Sequence, residues 1–155
     1  MDRKQLTWEN ETLSDAEGTV WATVRADVLN VKESQLAAAQ ERILLEHSVD
    51  SGSQRFWVRG TATTGKTLHV AQQGVTVSHM QAKCLDREYT LDRPNPFRRE
   101  RRIRDADGNE VLRTRPTFKG VLEIFDIAAE NVPDIDVAFL TYCCLLVDAP
   151  RRLRG

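Results

Sequence analysis

The sequence predicts a mainly β fold: an antiparallel β-barrel enclosing a hydrophobic C-terminal helix, with one extra helix over 34–46. Two observations carry the prediction. Much of the chain divides into short segments with strand-like alternation, separated by Gly, Pro, Asn and Asp. Near the C-terminus, Val137 to Val147 is an uncharged apolar run of 11 residues. A helix that is apolar on every side must be buried on every side. In a chain otherwise made of short strands, a closed barrel is the simplest way to surround it, and closure also removes exposed strand edges.

Residues 12–32 alternate as strands, and Leu13-Ser-Asp15-Ala-Glu-Gly18 supplies the first hairpin turn. Asp bonds back to the backbone there and Gly supplies positive φ. Residues 34–46 have the best helix propensity in the chain, with Ser34 as N-cap and Leu36, Ala39 and Ile43 on one face, although Ile43 to Val49 also reads as a strand. Strand-like runs follow at Arg55 to Arg59, Leu68 to Val70, Val75 to Ser78 and residues 84–92, before Arg93-Pro-Asn-Pro96 breaks the chain. A second hairpin at residues 103–113 repeats the Asp-Ala-acid-Gly pattern of residues 13–25, as a duplicated unit or as one turn chemistry used twice. Residues 117–127 form another alternating strand through Phe118, Val121, Leu122, Ile124 and Phe125.

For the C-terminal run the signals compete. Val, Phe, Thr, Tyr and Cys favour strand, whereas the length of the run favours helix. Asp134 and Asp136 stand where they would cap a helix and complement its positive end, which tips the reading to a helix over 136–148.

Asp105-Ala-Asp-Gly-Asn-Glu-Val-Leu-Arg, the strand through Phe125 and the terminal Asp-Val-Ala-Phe-Leu-x-Tyr-Cys-Cys-Leu-Leu-Val-Asp148 resemble the end of LURP-one-related proteins. These belong to the Tubby C-terminal-like fold, which also includes phospholipid scramblases. The resemblance covers residues 68–150 and implies a barrel of about twelve antiparallel strands around the C-terminal helix. The helix read over 34–46 departs from that all-strand pattern. The shared motifs are hairpin and core signals, so they speak to fold and leave function open.

The chain has 155 residues, the size of one domain, so residues 1–155 are read as a single unit. Its 22 basic and 23 acidic residues leave no global field to draw it to nucleic acid. Cys84, Cys143 and Cys144 are odd in number and two are adjacent, which suits reduced thiols in a cytoplasmic protein rather than a secreted disulfide framework. The polar N-terminus lacks a signal-peptide core, and the longest apolar run falls short of the roughly 20 residues that span a bilayer.

Gly60-Thr-Ala-Thr-Thr-Gly65-Lys66-Thr67 matches the P-loop pattern G-x4-G-K-[ST] in full. In a P-loop, backbone N–H groups cradle phosphates, the lysine neutralises them and the threonine holds Mg²⁺. That chemistry needs a buried parallel strand before the loop and a helix opening at Lys66-Thr67. The flanking sequence instead alternates like a strand on the far side and includes Gly74, so a hairpin loop competes with the nucleotide site. A Walker-B-like Leu145-Leu-Val-Asp148 is followed by Ala-Pro.

The densest basic cluster is Arg98-Arg99-Glu100-Arg101-Arg102-Ile103-Arg104. As a strand it shows arginine on both faces, which suggests a barrel edge or end. Arg98, Arg99, Arg101 and Arg102 are therefore candidates for an anionic partner, and the phosphoinositide-binding Tubby relatives make a phospholipid head group the implied ligand. A solvated strand paired with Asp105 and Asp107 is the competing reading. His47, His69 and His79 share no metal-ligand spacing with one another or with Cys84, and no nucleophile elbow or His-Glu-x-x-His helix occurs. The sequence thus favours a non-enzymatic binding or scaffold module with no cofactor. A small P-loop NTP-binding protein is the second reading, and a structural protein with protein partners only is the third.

Overall fold

The computed structural model describes residues 5–32, 40–48, 55–117, 120–128 and 131–149. Twelve strands and one helix make up the described fold. The strands are β1 (Gln5–Glu9), β2 (Thr12–Asp15), β3 (Val20–Arg25), β4 (Val28–Lys32), β5 (Gln40–His47) and β6 (Trp57–Ala62). They continue as β7 (Thr67–Gln72), β8 (His79–Cys84), β9 (Arg87–Asp92), β10 (Arg101–Asp105), β11 (Glu110–Pro116) and β12 (Leu122–Asp126), and α1 (Asp134–Asp148) follows. Each strand pairs antiparallel with its sequence neighbours, and β1 pairs with β12, through Leu6 opposite Ile124, to close the barrel.

Alternation sorts the side chains between the two faces of the wall. On β6, Val58, Gly60 and Ala62 point inward, and on β8 Met80, Ala82 and Cys84 do the same. These inward rows meet α1, which touches β4, β7 and β11. Those three strands are spread around the ring, so the helix lies inside it. Phe139, Leu140, Cys143 and Cys144 are fully buried, and Trp8 on β1 donates its indole N–H to Thr141 Oγ1 at 2.8 Å. Thr141 also donates to the Val137 carbonyl, satisfying the one hydroxyl in the helix core.

The apolar run is therefore a helix, as its length and flanking acids imply. It opens two residues earlier than the expected 136–148, and its cap is Pro133, with no side-chain capping bond. Asp134 and Asp136 fall in the first turn rather than at the cap, where they still complement the helix dipole. Burial is not complete all round: Tyr142, Leu145, Leu146 and Val147 are only half-buried.

The helix expected over 34–46 is corrected. Residues 40–46 belong to β5, and 34–39 lie outside the described residues. Ile43 and Leu45 point inward, while Leu44 between them is 57% exposed. Ile43 pairs with Leu29 on one side and Ala62 on the other, so ladder pairing and core burial outweigh local helix propensity. Val75 to Ser78, read as a strand, lies in the β7–β8 loop. The strand expected over 117–127 is shorter because a turn occupies its start, and Phe118 lies outside the described residues.

One turn geometry recurs in the hairpins. At Asp15–Thr19, the Asp15 N–H donates to the Thr19 carbonyl, and the Gly18 N–H donates back to the Asp15 carbonyl. Asp105–Asn109, Ala62–Lys66 and Thr117–Val121 make the same two bonds. In the two Asp-led turns the carboxylate also accepts two further backbone N–H groups, from Glu17 and Thr19 and from Asp107 and Asn109. The turn appears with and without the Asp-Ala-acid-Gly sequence, and it is this turn that residues 13–25 and 103–113 have in common.

Candidate functional site

The basic cluster divides in the structure. Arg101 points into the barrel and is fully buried. Its Nε and Nη2 each donate to the Asp148 carboxylate at 2.7 Å, and its Nη1 donates to the Val77 and Leu91 carbonyls. Arg93 Nη2 reaches the same carboxylate at 2.7 Å, and Arg99 Nη1 donates to the Asp148 carbonyl at 3.1 Å. Three guanidinium groups thus gather at the negative end of α1. Burial works most strongly against the Arg101 charge, but the bond to Asp148 and the other nearby groups together raise the Arg101 pKa above the ordinary value.

Arg101 is therefore corrected from a surface contact to an internal clamp. Of the expected barrel edge or end, the closed ring leaves the end, where the β9–β10 loop lies. Arg98 and Arg99 lie in the exposed β9–β10 loop, and Arg102 faces outward on the wall between Asp92 and Arg113. Asp148, the end of the Walker-B-like run, closes a helix rather than a strand and is wholly occupied by arginines.

The opposite end of α1 has a matching clamp. Arg87 Nε and Nη2 hold the Asp136 carboxylate at 2.6 and 2.7 Å, and the Tyr89 hydroxyl donates to it at 2.5 Å. The Arg87 guanidinium is held protonated chiefly by its bond to Asp136. Burial, with Asp136 beside it, pushes the Tyr89 hydroxyl well above its usual range. Both carboxylates sit at the ends of the helix, so the clamps fix its depth in the barrel.

The P-loop string is a hairpin. Gly60 belongs to β6, Gly65 has φ of 90° in the recurrent turn, and β7 begins at Thr67 where a nucleotide site needs a helix. Lys66 and Thr67 are exposed. Gly60 has a packing reason: a Cβ there would lie 2.6 Å from Ile43 Cγ2 and 3.2 Å from Phe139 Cε1. The glycine admits the helix, and the loop beyond it presents no dipole-aligned N–H cradle.

A different set of residues comes together on the outer wall. Thr23 pairs with Asn30 across β3 and β4, and Asn30 pairs with Arg42 across β4 and β5. Lys32 lies two residues along β4 on the same face. With Val20 and Ala22 these four line a groove of about 240 Å³. Among the described residues, neither Lys32 nor Arg42 has an acidic partner within ion-pair distance. Sequence reading missed this pair because the two cations are separated along the chain and become neighbours only when β4 pairs with β5. Their shared outward parity on adjacent strands is the signal that could have found them.

The chain matches no family model, no curated protein and no solved structure. The site must then be judged on its chemistry. Among the described residues no three His, Cys, Asp or Glu side chains gather as a metal site, and no helix is long and apolar enough to cross a membrane. The three cysteines are buried and free. Burial pushes the Cys144 thiol up to about 12 and raises Cys84 and Cys143 as well, so all three stay protonated and act as small apolar side chains.

Proposed function

We propose that the chain is a non-enzymatic binding module that recognises an oxyanion, a phosphate carried free or on a lipid head group, in the groove of Thr23, Asn30, Lys32 and Arg42. One observation carries the reading: two cations without acidic partners among the described residues stand beside a hydroxyl and an amide in one concave patch. Arg and Lys donate charge-assisted bonds to phosphate oxygens, and Thr and Asn add neutral donors. The helix-filled interior supports the reading from the other side, because it leaves the wall and the ends for a ligand. A barrel around a C-terminal helix also supports kinship with LURP-one-related and Tubby-like proteins. The nucleotide reading loses its support once Gly65-Lys66 is a hairpin turn and Gly60 a packing glycine.

The test is a titration, followed by backbone amide NMR, with inorganic phosphate in one arm and vesicles in another. The vesicles are phosphatidylcholine with and without an anionic phosphoinositide. Shifts centred on Thr23, Asn30 and Arg42 are expected, with affinity falling at least tenfold in Lys32→Ala/Arg42→Ala and with added salt. Saturation by phosphate alone identifies a free anion, and binding to vesicles only identifies a head group. Unchanged affinity in that variant, with loss in Arg98→Ala/Arg102→Ala, would move the site to the basic cluster and overturn the groove.

A further inference from the structure

At the end of the barrel where α1 terminates, a protruding apolar side chain and an apolar-floored cleft stand on the same rim. Phe97, in the β9–β10 loop, is 95% exposed. It is held on a preformed turn: Asn95 lies between Pro94 and Pro96, its Oδ1 accepts the Phe97 N–H at 3.0 Å, and its carbonyl accepts the Arg98 N–H. Arg98 and Arg99 follow it directly. The loop is anchored to the helix end by Arg99 and Arg93 on Asp148.

The cleft lies beside that same helix end, between the β1–β2 turn and Gly120 of the β11–β12 turn. It measures about 220 Å³, and its floor is Tyr142, Leu145 and Leu146, the face of α1 that the barrel leaves half-covered, with the fully buried Trp8 of β1 behind them. Glu9 and Glu11 form its rim and are exposed. A dry cavity of about 150 Å³ accepts a benzene ring, so the cleft has room for a phenyl group.

We propose that Phe97 of one copy fills this cleft in a second copy, while Arg98 meets the acidic rim at Glu9. Knob and hole occupy neighbouring positions on one rim, so a twofold axis between them makes both contacts at once, as an isologous dimer requires. The contact covers the apolar surface of Tyr142, Leu145 and Leu146. Because the Pro-Asn-Pro turn already holds the backbone at Phe97, little backbone freedom is lost on docking. The association is end-to-end and leaves the groove of Lys32 and Arg42 on the outer wall of each copy.

Sedimentation velocity on the full chain, from micromolar to millimolar concentration, tests the proposal. A concentration-dependent dimer is expected, shifted at least tenfold toward monomer by Phe97→Ser and by the single charge reversals Glu9→Lys and Arg98→Glu. Phe97 is exposed, so the first variant keeps its thermal midpoint if the fold is intact. Mixing Glu9→Lys with Arg98→Glu restores the dimer, because each rim then meets its complement. A monomer at every concentration, or a dimer indifferent to Phe97→Ser, overturns the proposal. A monomer whose binding to anionic vesicles depends on Phe97 also overturns it, and assigns the loop to a lipid surface instead.

Discussion

Asp148→Ala is expected to destabilise the fold by about 3–5 kcal/mol. The carboxylate has no exposure and accepts two bonds from Arg101, itself fully buried, and one from Arg93. Removing it leaves the Arg101 charge inside the barrel, hydrogen-bonded only to the Val77 and Leu91 carbonyls among the described residues. Native domains are stable by only about 5–15 kcal/mol, so the alanine variant can fall near the folding threshold. Asp148→Asn is the near-isosteric arm: it removes the charge and turns an amide NH2 donor toward one of the arginine donors, so it too is expected to destabilise. Urea denaturation with an unchanged slope reads the loss. Arg101→Met/Asp148→Leu is expected to cost less than the sum of the two single changes, because the double variant removes both charges together. A cost under about 1 kcal/mol for Asp148→Ala, typical of a surface pair, would mean that the clamp does not hold the helix.

Gly60→Ala is expected to cost about 1–3 kcal/mol, and Gly60→Val more, because the added carbon meets Ile43 and Phe139. Phe139→Leu should recover part of the loss in the double variant by giving the new methyl room. Gly65→Ala should cost about 1–2 kcal/mol for a different reason, its φ of 90°. Lys66→Ala should stay within about 0.5 kcal/mol of the parent, as an exposed turn residue does. A nucleotide loop gives the opposite order, with Lys66 decisive for binding and Gly60 neutral for stability. Thermal or urea unfolding of these variants, with and without Mg·ATP, separates the hairpin from a nucleotide loop.

These two sites show what the sequence carried and what it hid. The all-round apolar helix was legible because nothing but burial explains eleven uncharged residues in so charged a chain. The hairpin turns at Asp15 and Asp105 were legible because Asp and Gly do distinct local work there. Residues 40–46 misled because Gln, Glu, Arg and Leu are good helix formers, and only pairing with β4 and β6 makes Ile43 and Leu45 a strand. Arg101 was visible as part of a basic run but not as an inward residue, since strand parity was needed to separate it from Arg102. Lys32 and Arg42 were not legible at all as a pair, because their proximity is a property of register rather than of spacing.

With α1 in the barrel interior, the outer wall and the ends are left for ligands. Native-state amide hydrogen exchange along α1 tests that placement most directly. The amides of Phe139 to Cys144 are expected to exchange only through global unfolding, with the same protection free energy as the inward strand residues Leu91 and Ile103. A helix whose amides open well below the global free energy, while the strands stay protected, would be docked outside the ring and would contradict the account.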